Sequence, residues 1–186
     1  MNEGWLESIH APRFTAAAFP PYRFLPGRDP HPTASPNGHS YLPPGEAEPS
    51  VVLHAAESWR DSTEYLYGCD LYNHGYWWEA HEAWETLWHL PARGSLQRRF
   101  LQGLIQVAAC HLKLRLKRAD GVNRLRESSS GYLTSVIADV GEAPYMGLRV
   151  SRFLQSVDEY YAAVYRPAEG ALDHDPRIFP YCLPGC

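Results

Sequence analysis

An all-α fold, a compact array of about five antiparallel helices, is what this 186-residue chain predicts, and three observations predict it. Apolar residues recur at three- and four-residue spacing in successive windows from Glu57 to Tyr165, the period of a helix with one buried face. One window, Ser95 to Arg118, is apolar nearly all round and so belongs to a helix surrounded by others. No stretch shows the alternation of a strand. Prolines frame this region: ten of the sixteen fall in residues 1–50, and Pro167, Pro176, Pro180 and Pro184 fall in the tail. Proline at that density excludes a regular helix or a central strand. The chain therefore divides into an irregular arm over 1–50, a helical domain over 51–166 and a short irregular tail over 167–186.

Each helix has its own warrant. The first runs from Glu57 through Trp59, Thr63, Leu66, Cys69 or Asp70, and Asn73, and Asn73-His74-Gly75 stops it, with glycine suited to the left-handed cap. The second spans about Tyr76 to Leu90, ended by Pro91 and Gly94. Ser95 is a good N-cap for the third, about Ser95 to Arg118. Its apolar residues include Phe100, Leu101, Leu104, Ile105 and Val107, and Gln102, Gln106 and Lys113 form a narrow polar stripe. His111 projects on the apolar side, where a hydrogen-bonded core histidine is the plain reading. Two amphipathic helices follow, about Gly121 to Asp139 and Gly147 to Tyr165. The arm carries Phe14, Phe19, Tyr22, Phe24 and Tyr41, too much aromatic surface for a free linker, so it is expected to lie against the helices. Its two histidines, His31 and His39, sit on rigid, turn-rich backbone.

The second helix locates a site. Trp77, Ala80, Trp84, Leu87 and Trp88 share one arc of the wheel, which is core. Just beyond it lie His81 and Glu85, then Glu82, with Glu79 further round toward the opposite side. Ionisable groups at the edge of a tryptophan stripe are partly desolvated, which makes them candidates for proton transfer or metal ligation. The plain alternative is a solvated face with a His–Glu pair, worth about 0.2–0.5 kcal/mol. Glu79, His81, Glu82 and Glu85, facing Gln102, Gln106 and His111 of the third helix, are the expected pocket. A divalent metal held there would draw on His81, Glu82, Glu85 and His111, with His31 and His39 closing from the arm.

Composition narrows the classes. A net charge of −4 argues against a nucleic-acid partner, whose footprint is a basic stripe. No apolar run reaches a membrane span, and no basic-then-apolar leader opens the chain, so a soluble cytoplasmic protein is expected. Among the four cysteines, Cys69 and Cys110 fall inside helices as small buried residues, while Cys182 and Cys186 form a C-x3-C pair without a matching second pair.

Two blocks carry a resemblance. Asn73-x-Gly75-x-Trp77-x-Glu79-Ala80-His81-Glu82-x-Trp84-Glu85-x-x-Trp88, followed by Phe100-Leu101-Gln102-Gly103-Leu104-Ile105-Gln106-x-Ala108-Ala109-x-His111, resembles the signature of domain of unknown function family 309 over roughly Glu57 to Leu133. Pro26-Gly27-x-x-Pro30-His31-Pro32 with Gly38-His39 is similar to an N-terminal extension of some members. The resemblance implies an all-helical array and carries over no catalytic residue. Trp78 and His89 depart from the usual pattern, in which long polar residues stand.

Two functional readings follow. The first is a non-catalytic helical module whose polar pocket binds a small molecule or a protein partner. The second is a metal-dependent or water-activating hydrolase using the same residues. Neither H-E-x-x-H nor paired E-x-x-H motifs are present, and no nucleophile elbow or phosphate loop offers a third reading.

Overall fold

Helical spacing in the sequence becomes five α-helices in the computed structural model, which describes residues 11–47, 49–166, 171–172, 181–182 and 184–185. These are α1 (Thr63–Asn73), α2 (Trp77–Trp88), α3 (Leu96–Arg115), α4 (Ala119–Val140) and α5 (Val150–Val164). Each packs on the next in chain order, so that α3 lies between α2 and α4. Phe100, Leu101, Leu104, Val107 and Ala108 of α3 are fully buried, which is what its all-round apolar wheel requires. Ser95 caps that helix, its side chain accepting from the Arg98 N–H at 3.2 Å. No helix among the described residues is long and apolar enough to cross a membrane.

Several boundaries differ from the sequence reading. The expected first helix is split: Ala56–Asp61 is a 3-10 helix, and Ser62, at φ −84° and ψ 88°, breaks the chain before α1 begins. Trp59 sits on that short turn, against Gly147, rather than on α1. The tail is not wholly irregular either. Tyr165–Arg166 (β1) pairs antiparallel with Ala171–Leu172 (β2), and Cys182 is fully buried. Asn73 clamps that position: its Nδ2 donates to the Cys182 carbonyl and its Oδ1 accepts from the Cys182 N–H, both at 2.7 Å. The Cys182 thiol lies 3.5 Å from that of Cys69, both free. Cys186 falls outside the described residues, so the C-x3-C pairing does too.

Short connection through Pro91 and Gly94 sets α2 and α3 side by side, as a tight turn between antiparallel helices does. Trp84, however, turns to α1. Its Nε1 donates to the Tyr65 carbonyl at 3.2 Å, and a methyl placed on Gly68 would meet that Nε1 at 2.2 Å. Gly68 is thus the floor on which the indole lies. Half-buried Trp88 makes the contact to α3, with the Arg98 guanidinium 3.9 Å over its ring.

Trp84→Ala should cost about 3–5 kcal/mol of unfolding free energy, as large core truncations do. Gly68→Ala should cost about 1–3 kcal/mol in the parent chain and clearly less in the Trp84→Ala background, where the methyl has room. A double-mutant cycle from urea unfolding checks both, and strict additivity would show that the two residues do not share this contact.

Candidate functional site

The arm sets the problem that the site solves. Between residues 11 and 55 no described residue lies in a helix or strand, so the arm's N–H groups need partners outside regular structure. Two buried carboxylates supply several. Asp70 of α1, fully buried, accepts from the N–H of Phe14 at 2.7 Å, the N–H of Thr15 at 2.9 Å and the Thr15 hydroxyl at 2.7 Å. Arg13 completes it with a salt bridge at 3.2 Å. Glu79, in the first turn of α2, accepts on Oε1 from the Phe24 N–H at 2.8 Å and faces His39 Nε2 at 3.1 Å. Around these bonds the arm adds rings: Phe19 stacks on Tyr76, and Phe24, His31 and His39 meet Trp78 edge-on at 5.2, 5.5 and 6.5 Å.

His39 reaches Glu79 because the loop before it closes tightly. The N–H of Ser40 donates to the Pro32 carbonyl at 3.0 Å, and a Cβ on Gly38 would stand 2.1 Å from that oxygen. Only glycine allows this approach. The resulting pair is dry, each side chain 5% exposed.

This corrects the helical-wheel expectation for Glu79. A wheel sees only its own helix and put Glu79 toward the open side, whereas the arm covers that side. Burial pushes the Glu79 carboxyl above its ordinary range, opposed by the Phe24 N–H, its own N–H and His39. Its second oxygen, Oε2, is buried and has no hydrogen-bond partner on any other described residue.

Glu79 lies at a cleft of about 570 Å³ between the arm, α1 and α2, a size suited to a small molecule. Glu64, Tyr67 and Leu71 line it from α1, Trp78 and Glu82 from α2, and His39 from the arm. Burial also raises the Tyr67 phenol, and the nearby Glu79 and Asp70 carboxylates add to the rise against the opposing pull of Arg13. A second depression, about 380 Å³ between Trp59, Arg60, Tyr145 and Arg149, includes none of the expected pocket residues.

The other expected pocket residues separate into three environments. His81, Glu82 and Glu85 stay together, half-buried, each offering a ligand atom within 4.8 Å of the others, with His81 Nδ1 3.1 Å from Glu82 Oε1. Gln102 and Gln106 are half-buried on α3. Gln106 Oε1 has no partner, and no hydrogen bond joins either glutamine to the acidic band among the described residues. His111 is deep in the core and apart from a polar pocket. Its Nε2 faces the Tyr72 hydroxyl at 2.9 Å and its Nδ1 the Tyr161 hydroxyl at 3.3 Å. Trp77 and Tyr160 rings lie 5.3 Å away. Neutral imidazole has one donor and one acceptor, and two hydroxyls complete both, so His111 is a satisfied core histidine with no nitrogen left for a metal. His39 is committed to Glu79, and exposed His31 has Nδ1 near the N–H groups of Thr33 and Ala34, at 3.4 and 3.3 Å.

Sequence reasoning missed Asp70, Glu64 and Tyr67. Asp70 had a signal, since a carboxylate at an apolar-spaced position of a helix must find partners once buried. Glu64 and Tyr67 had none, because the arm alone makes their surface a wall.

Residues 65–125 match the family model described as Domain of unknown function (DUF309). The matched stretch includes Asp70, Glu79, His81, Glu82, Glu85 and His111, while His31 and His39 lie outside it. Comparison with curated proteins and with solved structures returns no match.

The buried Glu79 gives a pH signature. Its folded-state pKa is raised from 4.5, so the folded chain holds that proton more tightly than the unfolded chain does. The contribution of Glu79 to stability must then fall as pH rises from the unfolded value through the folded one, and level off above it. Relative to Glu79→Gln, the parent chain should lose stability steadily over that window. Urea midpoints of both proteins from about pH 4 to 8 measure it, and a difference that is flat or runs the other way would contradict the assignment.

Proposed function

We propose that this chain is a helical binding module whose ligand, a small molecule, occupies the cleft between the arm, α1 and α2. The observation that carries this reading is the Glu79 carboxyl. Glu79 lines the cleft; one of its oxygens is used to dock the arm, and the other is buried without a hydrogen bond from any other described residue. A buried polar atom left alone costs about 1–3 kcal/mol, which a bound donor would recover. The polar pocket inferred from sequence is thereby moved: Glu79, Glu82 and His39 belong to it, Gln102 and Gln106 remain on α3, and His111 belongs to the core.

Fragment binding tests this. Ligand-observed NMR with a set of neutral, anionic and cationic fragments should find binders in the parent chain. They should be lost when Ala83, which lines the cleft from α2, is changed to Trp. Binding that survives Ala83→Trp, or no binding by any fragment, contradicts the reading.

The second reading, a metal-dependent hydrolase, has one specific support: the convergence of His81, Glu82 and Glu85 within 4.8 Å. Imidazole and carboxylate ligands of this kind suit zinc and activate a bound water. His111 and His39 are committed elsewhere, and among the described residues the ligand atoms that converge are those of these three side chains. Under this reading untagged protein equilibrated with zinc retains about one ion per chain after dialysis, and His81→Ala or Glu82→Gln each lower occupancy markedly, as metal analysis would show. Equal retention by all three proteins removes the support.

A further inference from the structure

We infer, on the premise that the cleft is the ligand site, that its ligand is an organic cation: an ammonium or guanidinium group on an apolar body, with Glu79 Oε2 as anchor. Three features point to it. The first is Oε2 itself, which takes no hydrogen bond from any other described residue, on a side chain only 5% exposed. A carboxylate oxygen is an acceptor only, so the missing partner must bring a hydrogen, and a charged donor compensates desolvation best. Second is the sign of the wall. Glu64, Glu79 and Glu82 line the cleft, and none of the described lining residues is Lys or Arg. The arm's arginines near this end are engaged elsewhere: Arg13 on Asp70 and over the Phe19 ring, Arg23 on the His74 carbonyl and over the Tyr76 ring. Walls of one sign raise the local concentration of the opposite charge. Third, apolar and aromatic side chains line the rest, Leu71, Val51, Tyr67 and Trp78 among them, and aromatic rings also attract cations.

A bare metal ion fits this position less well. Glu79 Oε1 already accepts from Phe24 and faces His39, which leaves one oxygen where a metal takes several ligands. An alkylammonium needs only that oxygen and the apolar wall.

The experiment uses the full chain and three probes of one shape: benzylammonium, benzyl alcohol and benzoate, by isothermal titration at neutral pH. Benzylammonium should bind at least about tenfold tighter than benzyl alcohol, and benzoate weakest of all. Glu79→Gln should erase that preference. Should Glu79→Gln fail to fold, Glu64→Gln on the cleft wall should still weaken benzylammonium by about two- to threefold at low salt, an effect that added salt removes. Equal binding of the three probes, all lost in Ala83→Trp, would keep the cleft as a ligand site and overturn the cationic ligand, with water serving Oε2. Benzylammonium displaced by micromolar zinc in the parent but not in His81→Ala would also overturn it, assigning the cation to the His81–Glu82–Glu85 cluster. If none of the probes binds, both inferences fall.

Discussion

Backbone amides that lie outside helix and strand govern how this molecule is assembled. The arm is too rich in proline to form a helix or a strand, so its N–H groups must be met by something else or stay in water. Turns within the arm meet some of them, Asp70 and Glu79 meet those of Phe14, Thr15 and Phe24, and both carboxylates are drawn out of solvent in doing so. Burying a carboxylate is costly unless it is well hydrogen-bonded. Asp70 is: it has three hydrogen bonds from the arm and a salt bridge to Arg13. Glu79 is only half served, because Oε1 takes the docking bonds and Oε2 receives none from another described residue. The contrast between two carboxylates with the same structural task, one saturated and one not, is what singles out Glu79.

Position on α2 explains how Glu79 remains tolerable. It sits in the first turn, where the free N–H groups and the positive end of the helix dipole favour a negative charge. His39 adds a hydrogen-bond partner at 3.1 Å. The same turn carries Trp78, so the arm's docking bonds and its aromatic contacts fall on adjacent residues. Cleft and latch are therefore one construction: the arm that buries Glu79 also makes the second wall of the space beside it.

His111 shows how the same residue types diverge with environment. On sequence alone it could be ranked with the ionisable band of α2, since α2 and α3 are neighbours. In the fold it meets Tyr72 of α1 and Tyr161 of α5, two helices distant from it in the chain, whose buried phenols are raised well above their ordinary values and stay neutral hydroxyls. This cluster ties α1, α3 and α5 together through hydrogen bonds.

Local periodicity by itself determined the number of helices, the central place of α3, the Ser95 cap and the burial of Trp77, Trp84 and Leu87, because each depends on residues within a few turns of one another. Short-range spacing also brought His81, Glu82 and Glu85 together, being neighbours on one helix. Tertiary structure alone decided the rest. That Trp84 faces α1 over Gly68, that Cys182 returns to Asn73 and Cys69, and above all that Glu79 is buried all depend on segments 19 to 113 residues apart in the chain. A helical wheel assigns an open side to every helix; which open sides are later covered depends on where an irregular segment finds partners for its amides, and no period in the sequence records that.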